Sequence, residues 1–164
     1  MSNQLTLSNS GADSISELQV VTFNLGKEEF AVPILQIQEI NRLVDITKVP
    51  KSPEFVEGVI NLRGRVIPII DLRKRFGLPQ SELGKDTRIV VVSMDSRMIG
   101  LIVDSVSEVL RLSQSAIELP PPIVAGIDSE YIKGLGKLEG RLLILLDLNR
   151  ILTKEEHTEL VTVG

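Results

Sequence analysis

One pattern occurs twice in this chain, and that repeat limits what it can fold into more than any other feature. Phe55 to Phe76, FVEGVINLRGRVIPIIDLRKRF, reads as strand, two-residue turn, strand and capped helical turn. Set above Tyr131 to Leu152, a shift of 76 residues (55 to 131), it puts Phe55 on Tyr131, Gly58 on Gly134 and Leu62 on Leu138. Gly64 then meets Gly140, Arg65 meets Arg141, and Asp71-Leu72 meets Asp147-Leu148. Upstream, a shift of 69 (21 to 90) brings Val21, Phe23, Val32, Ile34, Ile37, Glu39 and Ile40 onto Val90, Val92, Leu101, Val103, Val106, Glu108 and Val109. The difference, 76 − 69 = 7 residues, is an insertion in the second proline-rich loop. Each copy is a five-stranded unit of about 60 to 70 residues, which is marginal alone, so the two are expected to share a core as paired small barrels or strongly bent sheets.

Local signals agree with a mainly β fold carrying short helices. In the first half, strands are expected at Leu18–Leu25, Glu29–Pro33, Leu35–Arg42, Val56–Leu62 and Arg65–Ile70. Val66, Ile67, Ile69 and Ile70 are apolar on both faces of the last, so that strand should be central and covered on both sides. Asp71 stands where a helix N-cap belongs, and Gly77 where the helix stops. The second half predicts strands at Arg88–Met94, Met98–Val103, Ser105–Leu112, Tyr131–Leu138 and Arg141–Leu146. It also predicts a helical turn near Ser113–Ile117 and another capped by Asp147. In strand three, plain alternation puts Leu35, Ile37 and Glu39 on one face. Residues 1–16 are polar and unpatterned and read as a flexible tail. A single domain is expected over 17–160, its first half about 17–80 and its second about 87–152. Thr153-Lys-Glu-Glu156 forms a capping box for a short C-terminal helix, about 153–160.

Composition narrows the function. The chain has 164 residues and no cysteine, which removes disulfides and thiolate metal sites. Its net charge of −4 disfavours broad phosphate contacts, and a 3% aromatic content leaves few platforms for stacking bases. The polar N-terminus lacks the pattern of a signal peptide, and no apolar run approaches membrane-spanning length.

Catalytic chemistry is hard to find. One Asp per half resembles the layout of an aspartic protease, a duplicated hydrolase with Asp71 and Asp147 as its dyad, but each is followed by Leu-Arg or Leu-Asn and sits at a cap position. His157, the only histidine, lies in a polar segment without partners in pattern. The glycines lack the Gly-Lys-Ser/Thr of a phosphate loop, and the acidic residues lack calcium-loop spacing. Pro50-Lys-Ser-Pro53 matches a minimal PxxP pattern and carries no weight. Met94 and Met98 read as core fillers. Arg63, Arg65, Arg73, Lys74 and Arg75 form a basic run in an acidic chain, read as a solvated helix face or, alternatively, a surface for an anionic partner. Arg63 stands out because the turn needs Gly64 but not an arginine. Either Arg63 and Glu39 are unrelated surface charges, or they form a forked pair beside Ile37.

IQEI at 37–40, FVEGVINLRG at 55–64, VPIIDLR within 66–73, GLIVDSVSEVL at 100–110 and YIKGLG at 131–136 resemble the CheW family of chemotaxis coupling proteins, over about Leu18 to Leu160. The resemblance implies two five-stranded SH3-like β-barrels on a common hydrophobic core. It implies a non-catalytic, cofactor-free bacterial adaptor that couples methyl-accepting chemotaxis receptors to the CheA histidine kinase. The expected partners are the kinase's regulatory domain and the cytoplasmic receptor tip, with no nucleic acid and no direct membrane insertion. The expected location is the cytoplasm, at receptor arrays on the inner membrane. Carried over by motif, Ile34, Ile37, Glu39, Arg63, Val106 and Val109 would bind receptor, and Leu43, Val44 and Gly58 would lie near the kinase. Glu39–Arg63 would then be an ion pair shaping the receptor groove. A CheW-like adaptor of a related pathway, such as twitching motility or a paralogous array, is the alternative.

Overall fold

The computed structural model describes residues 17–94 and 97–152. The strands of the first half are β1 (Glu17–Leu25), β2 (Glu28–Pro33), β3 (Ile37–Arg42), β4 (Val56–Leu62) and β5 (Arg65–Asp71), followed by helix α1 (Leu72–Phe76). The second half supplies β6 (Arg88–Met94), β7 (Arg97–Val103), β8 (Ser105–Ser113) and the two-residue strands β9 (Ile117–Glu118), β10 (Ile123–Val124) and β11 (Ile127–Asp128). Then come β12 (Ile132–Leu138), β13 (Arg141–Leu146) and helix α2 (Leu148–Ile151). The N-terminal tail, the Asp95-Ser96 turn, His157 and the 153–160 helix lie outside the described residues. The seven-residue insertion falls in the stretch that holds the small β10–β11 hairpin.

Two sheets carry the fold. One runs β8-β1-β2-β13-β12-β9 and the other β3-β6-β7-β5-β4. Replacing each strand of the second sheet by its repeat counterpart gives β8-β1-β2-β13-β12, the order of the first. The repeat is therefore structural, and it includes the parallel pairs β2–β13 and β5–β7. Neither sheet is built from one half, however. The hairpin β1–β2 belongs by sequence to the first copy and by pairing to β8 and β13 of the second. Hairpin β6–β7 makes the reciprocal move onto β3 and β5.

The apolar pattern explains why this exchange is stable. Along β6, Val90, Val92 and Met94 face a core shared by both sheets, while Ile89 and Val91 face a smaller core of their own sheet with Ile60, Ile67, Ile69 and Ile102. Along β1 and β2, Phe23, Leu25, Phe30 and Val32 join the shared core, and Val20 and Ala31 pack with Leu145 on the other face. A strand covered on both faces must be apolar there, as β5 is from Ile67 to Ile70, while Arg65 and Val66 at its start are exposed. Each such side chain contributes about 1.5–3 kcal/mol by burial. All five aromatic residues line this middle layer: Phe23 stacks on Phe30, Phe30 on Phe76, and Phe76 packs against Tyr131, with ring centroids 5.7, 6.0 and 5.3 Å apart. The Arg75 guanidinium lies over Phe55 (4.3 Å) and Tyr131 (5.3 Å), the two rings that the repeat equates. Met94 is buried and Met98 partly so, as gap fillers should be.

The helical part of the basic run, Arg73, Lys74 and Arg75, is not a solvated face, because its members are used internally, whereas Arg63 and Arg65 are exposed. Arg73 donates from Nε and Nη2 to the Asp104 carboxylate (3.1 and 2.5 Å) and from Nη1 to the Pro79 carbonyl (2.6 Å). Asp104 also accepts from the Gly26 amide at 2.7 Å. Burial pushes its carboxyl up, but these hydrogen bonds outweigh that and hold it below the ordinary 3.8. Lys74 pairs with Glu57 at 2.5 Å.

Helix α1 starts and stops as its sequence requires. Asp71 accepts from the amides of Arg73 and Lys74 (2.9 and 3.3 Å), and Gly77 closes the helix at φ 74°. Replacing such a cap by Ala costs about 1 kcal/mol.

Strand β4 is broken by a register shift between Val56 and Gly58, where the 43–55 loop crosses it. Thr47 and Val59 exchange two backbone hydrogen bonds of 2.9 Å there. Gly58 sits beneath Thr47 at φ 146°, and a Cβ on it would lie 2.1 Å from the Thr47 carbonyl oxygen. Gly58→Ala is therefore expected to destabilise the protein by about 2–4 kcal/mol, read as a lowered thermal midpoint. An unchanged midpoint would show that the crossing does not constrain this position.

Candidate functional site

The two strands that hold most of the expected receptor residues occupy matching places. β3 stands at one end of its sheet's hydrogen-bonded order and β8 at the same end of the other. Ile37 on β3 and Val106 on β8 are both half-buried against the shared core, so the structure brings these repeat-related residues onto one apolar layer from two different sheets. Ile34 lies half-buried in a 3-10 turn, Ile34–Gln36, which packs on β1 of one sheet and β6 of the other. That turn replaces the expected start of strand three, and Leu35 projects into solvent from it rather than lining up with Ile37.

A register shift corrects the alternation as well. Ile37 pairs with Val92 but Glu39 pairs with Val91, so Gln38 is an extra residue. One inserted residue reverses the facing of everything beyond it. Ile37 and Ile40 consequently share a face, with Glu39 on the other. β8 repeats the device: Glu108 pairs with Thr22 and Val106 with Phe23, leaving Ser107 extra and putting Val106 and Val109 on one face. Ile40 is 40% exposed and Val109 50%. Ile40 was missed as a candidate in the sequence, although its repeat partner Val109 was named. The alignment of the two copies was the signal that pointed to it.

Glu39 and Arg63 do form an ion pair. Arg63 Nη2 donates to Glu39 Oε1, and Nη1 lies 3.5 Å from Oε2. The Glu39 side chain is 24% exposed and that of Arg63 73%. β3 and β4 are at opposite ends of one sheet's order, so the pair reaches from the β4–β5 turn back to the far strand. The hydrogen bond from Arg63 is the main cause that lowers the Glu39 pKa, and the charge of Arg63 adds to it.

Geometry separates Arg63 from the needs of the fold. Arg63 and Gly64 both have positive φ, 51° and 82°, the pattern of a type I′ hairpin turn. The Asn61 side chain accepts from the Gly64 amide at 2.9 Å and braces it. The first position of such a turn suits Asn, Asp or Gly, and a long side chain there is strained by about 1–2 kcal/mol. In the second copy only Gly140 has positive φ, and Glu139 is spared. The turn itself does not require this arginine, which is strained, mostly faces solvent and holds the Glu39 carboxylate.

The residues assigned to the kinase lie in the loop after β3 and on β4. Leu43 packs on the private core of the second sheet, Val44 is exposed, and Gly58 is buried under Thr47 beside the same loop. The Asp71–Asp147 dyad is overturned. Each carboxylate caps its own helix, Asp147 accepting from the Asn149 amide at 3.2 Å. Burial raises the Asp71 pKa although two amides donate to it. Among the described residues no acidic or histidine cluster fits a metal ion.

Arg63→Asn should keep or raise the thermal midpoint while the Glu39 carboxyl, followed by NMR, titrates closer to its ordinary 4.5. Because the folded pKa is depressed, the pair is intact above the ordinary glutamate value and is lost as pH falls through the folded one. A Glu39 titration indifferent to Arg63 would contradict the pairing.

Comparison with known proteins gives this geometry a family. The model of the CheW-like domain matches residues 19–156. The chain is 36% identical to the chemotaxis protein CheW of Klebsiella aerogenes over 95% of this chain and 93% of that one. It is 39% identical to the chemotaxis protein CheW of Helicobacter pylori over 87% and 86%. The crystal structure of the scaffolding protein TtCheW from Thermoanaerobacter tengcongensis is similar at a TM-score of 0.78 and 39% identity, covering 84% of this chain and 89% of that one. Two repeat-related SH3-like sheets on a common core, together with these matches, show that the chain belongs to the CheW family of non-catalytic chemotaxis coupling scaffolds.

Proposed function

We propose that this chain joins a methyl-accepting receptor to the regulatory domain of a CheA-type histidine kinase through two separate surfaces. The observation that carries the reading is the seating of Ile37 and Val106, one from each sheet, on the shared core. Ile34, Ile40 and Val109 extend the apolar surface, and Glu39 with Arg63 gives it a charged edge. An apolar floor with a polar rim suits one face of a helix, and the cytoplasmic tip of such a receptor is a helical hairpin. Leu43 and Val44 rest on or near a different core cluster, which suits a second partner that binds at the same time. In this reading Gly58 matters to the kinase through the backbone crossing it permits. Signal passes by position, since a partner on one surface changes what the other experiences only if the scaffold joins them. The protein would act at receptor arrays on the inner membrane, brought there by its partners. No helix among the described residues is long and apolar enough to cross a membrane.

Ile37→Asp and Val109→Asp are expected to weaken binding of a receptor-tip hairpin about tenfold or more, and to leave binding of the kinase regulatory domain near the parent value. Val44→Asp should do the reverse. Calorimetry on the folded variants decides it. Equal losses toward both partners from every variant would refute two separate surfaces, and parental receptor binding by both Asp variants would refute the groove.

A further inference from the structure

Arg141 is the counterpart of Arg65 in the repeat, but it does the work that Arg63 does in the first copy. Its guanidinium holds two carboxylates at once. Nε and Nη2 donate to Glu29 at 3.1 and 2.5 Å, and Nη2 also reaches Glu108 Oε2 at 3.0 Å. Glu108 is the repeat partner of Glu39. The charged edge of the first copy is thus rebuilt in the second from a different position, at the start of β13 instead of in the hairpin turn. No positive φ is needed there, because the β-strand itself aims the side chain across the sheet.

We propose that Arg141 is a positioning residue which, by holding Glu108, fixes the β8 edge that presents Val106 and Val109 to the receptor. The proposal rests on the groove reading above. Glu108 is held at both ends. Its amide donates to the buried Thr22 hydroxyl at 3.2 Å, and that hydroxyl donates to the Glu108 carbonyl at 3.3 Å. Its carboxylate is fixed by Arg141. This grip lies at the register shift that sets the facing of Val106 and Val109, and the extra residue, Ser107, is tied to Asn24 at 2.7 Å. β8 is a terminal strand in its sheet's order, so the outer side of this irregular stretch has no neighbouring strand in that order to hold it. Glu29 anchors the arginine: it is on β2 inside the sheet and is the less exposed of the two carboxylates. A fork that spans both partners is available to arginine and not to lysine.

The test is a double-mutant cycle on the full chain, with the helical tip hairpin of a methyl-accepting receptor as ligand. Arg141→Gln and Glu108→Gln should each weaken binding about three- to tenfold, and the double variant should be no weaker than the worse single. Arg141→Lys should fall between parent and Arg141→Gln. Amide exchange in Arg141→Gln should quicken at residues 105–110 and stay parental across β3. Lys137→Gln, which removes an exposed pair with Glu118 in the same sheet, should bind as the parent does. Additive losses would overturn the coupling. So would parental binding by folded Arg141→Gln or, if that variant does not fold, by Glu108→Gln. If Ile37→Asp and Val109→Asp lose binding while these variants keep it, this proposal alone fails; if those two also bind as the parent does, the groove reading fails first.

Discussion

Everything in this molecule depends on the shared core, because neither half can finish a sheet without the other. The hairpins β1–β2 and β6–β7 are exchanged, so each sheet takes two strands from one copy and the rest, four in one sheet and three in the other, from its partner copy. Their alternate residues are divided between a private core and the common one. Separating the halves would expose both faces of the exchanged hairpins at once. That makes the pair one cooperative unit, although either copy alone is too small to bury much surface. The Arg73–Asp104–Gly26 network closes the same junction from the polar side, linking α1, the β7–β8 corner and the β1–β2 turn.

The same exchange sets the places of β3 and β8. Because β3 and β8 come from different copies, yet flank one core, Ile37 and Val106 both pack against it without being close in sequence. Two register shifts then turn Ile40 and Val109 to the same side as their neighbours. The symmetry is broken where charge is placed. In one copy the arginine is at a strained turn and largely exposed; in the other it is at a strand end and shared by two carboxylates. Two glutamates at equivalent positions thereby have unequal surroundings, one paired with a largely exposed arginine and the other with an arginine it shares with Glu29.

Much of the fold was legible in the residues. Apolar runs covered on both faces predicted central strands, and Asp71 and Asp147 were cap residues wherever the chain went, because a carboxylate before a helical turn satisfies amides two and three residues on. The repeat predicted paired units on a common core. What misled was the basic run. Arg73, Lys74 and Arg75 look like a solvated face when only their own helix is considered, and their partners Asp104, Glu57, Phe55 and Tyr131 lie 17 to 56 residues away (74 to 57, 75 to 131). The alternation that aligned Leu35, Ile37 and Glu39 failed for a similar reason: a one-residue shift in pairing is a property of two strands together.

The sequence by itself determined the strands, the caps, the duplication and the family, since these follow from short-range periodicity and from residue types that only certain backbone shapes accept. Tertiary structure alone decided which hairpin completes which sheet, which face Ile40 and Val109 present, and that Arg141 rather than a residue of its hairpin turn pairs with Glu108. Pairing partners are chosen by burial and charge summed over distant segments, and a local pattern does not record them.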